Sequence, residues 1–157
     1  MPKYDISKQI EKIVLLISLF VSGLYACSSD ESEVTDVSVA IEQAYMPALA
    51  PGQTTAAVYM KMMNRTDEEK ILNHVETDIA GMAHIHRNFY EDGVMKMRMV
   101  HHLTLSPKET LRFEPGGYHV MLMDIAEPME PEVTFPLVLH FEKGESVTVQ
   151  VTVKARQ

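Results

Sequence analysis

The stretch AHIHRNFYEDGVMKMRM, residues 83–99, decides the fold. Two runs with a two-residue period meet at Asp92-Gly93. In an extended strand successive side chains point to opposite faces, so residues two apart share a face. Asp-Gly between two such runs is a strong signal for a tight hairpin, because that turn needs positive φ at its central positions. With Asp92 and Gly93 as the turn, Tyr90 pairs with Met95, Phe89 with Lys96, Asn88 with Met97 and His86 with Met99. His86 and Met97 then become diagonal neighbours, about 7–8 Å apart and within reach of long side chains. One face of the hairpin carries histidines and thioethers, and the opposite face of its second strand carries Lys96 and Arg98.

The same period runs through the rest of the chain. Val37, Val39 and Ile41 alternate with polar or small residues. Further strands are expected at 55–64, 70–78, 110–114, 135–143 and 146–154, and VMKMRMVHHLTL (94–105) reads as one strand. Pro115-Gly116-Gly117 is a turn, followed by YHVMLMDI (118–125). There His119, Met121 and Met123 share a face, with Met123 and Ile125 expected to continue into the core. No segment has the 3.6-residue pattern of a long amphipathic helix. About eight short strands separated by regular turns make an all-β single domain, a sandwich or barrel.

The chain has 157 residues, 46% hydrophobic and 23% charged, with a formal charge of -8. An acidic chain argues against nucleic acid as a partner, since phosphate binding needs a basic face. Lys3, Lys8 and Lys12 precede an apolar run from Ile13 to Ala26 that is too short to span a bilayer as a helix. Residues 1–26 therefore read as a secretory signal peptide. The run ends in Leu24-Tyr25-Ala26-Cys27, which resembles the lipobox of bacterial lipoprotein precursors. That resemblance implies cleavage before Cys27, its lipidation, and anchoring to the periplasmic face of a membrane or cell envelope. Residues 27–36 form an acidic tether, and residues 37–157 form the folded domain.

Methionine is the anomaly, with twelve in the chain against a single cysteine. A methionine stripe alone is more often core filling than a ligand set. Here the methionines keep company with His84, His86 and His119. Thioether is a soft, neutral donor that selects Cu(I) over hard cations, and imidazole also suits copper. Mg2+ and Ca2+ would want oxygen donors instead. A blue-copper centre needs a Cys thiolate, and Cys27 is remote.

With these residues in view, the chain resembles the PCuAC periplasmic copper chaperones. Their motif is a His, ten residues, a Met, twenty-one residues, then His-x-Met. His86, Met97, His119 and Met121 fit that spacing throughout, and DGVMKMR (92–98) and PGGYHVMLM (115–123) match its surroundings. The resemblance spans roughly Val37 to Lys154. It implies a cupredoxin-like Greek-key β-sandwich with Cu(I) on His86, Met97, His119 and Met121. It implies copper delivery by ligand exchange to an acceptor protein, notably the copper centre of cytochrome oxidase; the copper itself comes either from a donor protein or from free ions. No bond in a substrate is broken, so no enzyme is expected. Many members have Met where this chain has Asn88, and often Pro where it has Met99. Met99 and His84 are accessory candidates. Phe89 and Tyr118 are expected to shield the ion from water.

Two rival readings use the same residues. His84-Ile85-His86 with Glu91 resembles the first motif of cupins, which would imply an Fe or Mn metalloenzyme. The other is a non-metal structural lipoprotein with its methionines buried. His101 and His102 are expected at the surface, and His74 and His140 as ordinary strand residues.

Overall fold

Alternation of apolar and polar side chains builds this molecule almost entirely from strands. The computed structural model describes residues 38–127 and 129–156. The leader, Cys27 and the acidic tether lie outside the described residues. Ten strands follow in order: β1 (Val39–Pro47), β2 (Ala56–Asn64), β3 (Lys70–Glu76), β4 (Ala80–Glu91), β5 (Val94–Met99), β6 (Leu103–Leu105), β7 (Thr110–Phe113), β8 (Tyr118–Ile125), β9 (Thr134–Phe141) and β10 (Ser146–Lys154). They hydrogen-bond in the order β5-β4-β8-β7-β2-β1-β10-β9-β3-β6, with β8 also pairing β2. The first and last strands, β1 and β10, pair in parallel at the centre of that order.

The sheet folds on itself. β5 and β6 are its two opposite edges, yet only Val100–His102 separate them in sequence. A chain covers at most about 3.6 Å per residue, so the edges must lie close together. The two halves thus face each other as a sandwich around one core. Val58, Met60, Met62, Val120, Leu122 and Ile85 come from one half, and Leu72, Leu137, Leu139, Val151 and Val153 from the other. β2 shows the cause, with Ala56, Val58, Met60, Met62 and Asn64 all buried and the residues between them half-exposed.

The run 94–105 is two strands, not the single one its sequence suggests. All of β5 is exposed, whereas Leu103 and Leu105 of β6 are buried. Between them the Val100 amide donates to the Ile85 carbonyl (2.8 Å), and the chain then crosses to pair with β3. The sequence pattern conceals this break, because Leu103 and Leu105 keep the parity of Met97 and Met99.

Asn64 also escaped the sequence reading, which treated it as the end of a strand. It is fully buried. Its amide nitrogen donates to the carbonyls of Glu68 (2.7 Å), Ser106 (3.0 Å) and Leu105 (3.2 Å). Its oxygen accepts from the Thr66 amide (3.0 Å) and hydroxyl (2.8 Å). It thereby ties the loop after β2 to the loop after β6. Asn64→Ala leaves these groups unpaired, at a cost of about 2–3 kcal/mol. Urea unfolding of the variant checks this, and a loss below about 0.5 kcal/mol would contradict it.

Candidate metal centre

The Asp-Gly turn sets the register of the metal-binding candidates. Asp92 (φ 55) and Gly93 (φ 77) both take positive φ, as the tight hairpin turn requires. β4 and β5 pair in the expected register, with Glu91 opposite Val94, Tyr90 opposite Met95, Asn88 opposite Met97 and His86 opposite Met99. On its other side β4 pairs antiparallel with β8, placing His86 opposite His119, His84 opposite Met121 and Met82 opposite Met123. Alternation puts all these side chains on the outer face of one half of the sandwich. Ile85, Val120 and Leu122 point the other way, into the core.

The outer face therefore forms a ladder. Met99, His86 and His119 make one rung across three strands, and Met97 lies diagonal to His86 on one side. Met121 lies diagonal on the other side, paired with His84. Met99 is the direct neighbour of His86, while Met97 is one pair further toward the turn. The His86 and His119 rings stand edge to face with centroids 5.8 Å apart. His84 and His86 stack at 6.3 Å.

Burial and hydrogen bonding divide these imidazoles. His119 is 4% exposed, and its Nδ1 lies 3.2 Å from the Gly117 carbonyl. A carbonyl only accepts, so Nδ1 carries a proton, and in the neutral ring this tautomer leaves the lone pair on Nε2. The same carbonyl accepts from the Asn88 amide (3.0 Å), which fixes the Pro-Gly-Gly turn against β4. His86 has both ring nitrogens buried without a hydrogen-bond partner, and so does Nδ1 of His84. Buried polar atoms are nearly always satisfied, so an imidazole with two orphan nitrogens marks a site built for something else. Burial, and then the neighbouring His119 and His84, push the His86 pKa below its ordinary value. The shift favours the neutral ring, the form that binds metals.

Burial sorts these methionines into three sets. Met46, Met60 and Met62 are in the core. Met82, Met95, Met97 and Met99 are exposed, so the thioethers beside the buried His86 nitrogens, Met97 (49%) and Met99 (42%), are themselves in contact with solvent. Met121 and Met123 are half-buried. Met123 stays on the outer face and does not enter the core as expected. A left-handed residue at Asp124 (φ 58) breaks the alternation, so only Ile125 turns inward. Phe89 and Tyr118 are likewise on the wrong face to shield an ion. They lie beneath Arg98 (4.7 Å) and Arg87 (5.1 Å) as cation–π pairs.

Glu91 shares that opposite face. It is an odd number of residues from His84 and His86, and it pairs with Lys96 and Arg98. The cupin-like set of two histidines and this carboxylate therefore does not converge. Among the described residues no group of three or more His, Cys, Asp or Glu side chains is arranged to hold a metal ion. Any soft-metal site here depends on thioethers. His101 and His102 are exposed, and His74 stacks on His140 (5.4 Å) across β3 and β9.

This fold and ladder have known counterparts. The structure is similar to a copper-bound PCuAC domain from PmoF2, with a TM-score of 0.63 and 25% identity over 76% of this chain and 94% of that one. It is also similar to the Cu(I) form of DR1885 from Deinococcus radiodurans, with a TM-score of 0.62 and 27% identity over 82% of this chain and 85% of that one. These likenesses make it a PCuAC-type, cupredoxin-like domain. The profile of the family described as "Putative lipoprotein LpqE-like" matches residues 39–153, and the chain belongs to the LpqE-like family. A relative from Leifsonia xyli subsp. xyli, "Putative lipoprotein Lxx21020", is 26% identical over 74% of this chain and 69% of its own length.

Proposed function

We propose that this protein is an exported, lipid-anchored metallochaperone that carries Cu(I) and delivers it by ligand exchange, with the copper centre of cytochrome c oxidase as its acceptor. His86, Met97, His119 and Met121 hold the ion, with Met99 and His84 as accessory donors. Cys27 carries the lipid. The observation that carries this reading is His86, whose two buried nitrogens lack partners while thioethers flank it on both adjacent strands. The copper-bound PmoF2 domain and the Cu(I) form of DR1885 support it.

The donor set explains both capture and release. Two imidazoles and two soft thioethers are all neutral, so they favour a monovalent soft ion over Mg2+ or Ca2+. Thioethers need no deprotonation and cannot form disulfides, which suits an oxidising compartment. The exposure of Met97 and Met99 leaves the ion open to an incoming ligand. A thiolate from an acceptor carries charge, binds Cu(I) more strongly and displaces the thioethers one at a time. Copper is the cargo, and no covalent bond of a substrate changes.

Transfer is the direct test. Cu(I)-loaded protein is mixed anaerobically with the copper-free, cysteine-bearing copper domain of a cytochrome oxidase subunit, and copper is measured in each after separation. Delivery predicts stoichiometric movement to the acceptor, whereas retention would make the protein a store. The cupin-like alternative makes a different forecast. Glu91→Gln leaves Cu(I) affinity within about twofold here, since Glu91 faces away from the ladder, and it would abolish Fe or Mn loading in a cupin site. Metal titration of the variant separates the two.

A further inference from the structure

The four proposed ligands use only part of the ladder. Below the His86–His119 rung lie two more pairs on the same face, His84 opposite Met121 and Met82 opposite Met123. Directly paired residues have Cβ atoms about 4.5–5.5 Å apart, and diagonal ones remain within reach of long side chains. Three observations show that these lower rungs are not packing. Nδ1 of His84 is buried with no hydrogen-bond partner. Met82 is 45% exposed. Met123 is half-buried, yet it is not among the side chains packed against the hydrophobic core.

We propose that Met82, His84 and Met123 form a second Cu(I) site beside the first, with His84, an accessory donor while one ion is bound, passing to the second ion, and with Met121 between the two ions and able to bind either. The proposal rests on the Cu(I) reading of the upper site. Its donors are two thioethers and one imidazole, all neutral, a set softer than the first and suited to a three-coordinate monovalent ion. The set contains no carboxylate, so hard divalent ions have no reason to bind.

The arrangement makes the two sites continuous. Met82 is exposed at the lower end and Met97 and Met99 at the upper, with His84, His86 and His119 more buried between them. An ion captured at Met82 and Met123 reaches the upper site by giving up Met82, Met123 and His84 for His86, His119 and Met97 while Met121 stays bound, with no change of oxidation state and no proton transfer. His84 and His86, one ligand of each site, have ring centroids 6.3 Å apart, the scale on which the two ions would be separated. Two unit charges at that separation in a partly exposed site repel enough to make the second binding step weaker, on the order of tenfold.

The experiment is an anaerobic Cu(I) titration of the full chain against a competing chelator, with stoichiometry read by native mass spectrometry. Two equivalents are expected, the second about tenfold weaker. Met82→Leu/Met123→Leu keeps side-chain bulk at exposed or half-exposed positions, and it should retain one equivalent at unchanged affinity. Met97→Leu should weaken the tighter equivalent and leave the second. In the unmutated protein, the ε-methyl NMR signals of Met82 and Met123 should shift only with the second equivalent. A single equivalent that Met82→Leu/Met123→Leu does not affect would overturn the second site while leaving the first intact. Two equivalents that both survive in Met82→Leu/Met123→Leu would overturn its location. No binding to any form would overturn the upper site as well.

Discussion

His86→Leu should weaken Cu(I) binding by more than about 100-fold while the protein unfolds at the same temperature or slightly higher. Loss of a group that merely orients a metal ligand costs about 10–100-fold in affinity, so loss of a central ligand costs at least the upper end of that range. Stability should move the other way. Both ring nitrogens of His86 are buried without partners, and its pKa is lowered chiefly by that burial. An unsatisfied buried polar group is a liability that an apolar side chain of similar size removes. Thermal unfolding of metal-free protein beside a chelator-competition titration measures both. A variant that loses stability together with copper would mean that His86 is a structural residue and not a ligand.

Gly93→Val acts on the same site from a distance. Gly93 sits at φ 77, where a β-branched residue is a genuine outlier, and no atom lies within 4 Å of where its Cβ would be. The cost is therefore backbone strain, about 1–2 kcal/mol. β5 is the weakest place to absorb it, since it is an edge strand that is exposed along its length and contributes no residue to the core. A slip of one residue would turn Met95, Met97 and Met99 away from His86 and bring Lys96 and Arg98 to the metal face. Cu(I) affinity should fall at least about tenfold, while the midpoint of global unfolding changes little. Faster amide exchange across Met95–Met99 would locate the damage in the hairpin. Unchanged affinity would contradict a site that depends on β5.

The hairpin was legible because its turn chemistry and its alternation agree. Asp92-Gly93 forces the register, and the register alone places His86 beside Met99 and diagonal to Met97. The pairing of β4 with β8 was not legible in the same way. The strands are far apart in sequence, and no local signal says that His86 meets His119 or that Met82 meets Met123. The motif spacing implied their convergence without supplying the geometry. The faces of Phe89 and Tyr118 followed from parity and could have been read, since both are odd partners to the histidine face. The break at Val100 could not, because an apolar residue of the right parity looks the same on an outer edge and in the core. The orphan nitrogens of His86 appear only once three strands have closed around it. Asn64 is the same case in the scaffold, a polar residue whose burial depends on two loops that meet only in the fold.

The central claim is that thioethers from two different strands hold Cu(I) together with two histidines. The measurement that tests it most directly is a Cu(I) titration of residues 28–157 under reducing, anaerobic conditions against a competing chelator, beside Met97→Leu/Met121→Leu. The double variant keeps the bulk of both side chains and removes both sulfurs. Tight binding that the variant loses, with its unfolding curve unchanged, is the predicted result. Absence of binding, or binding of equal strength in the variant, would contradict it.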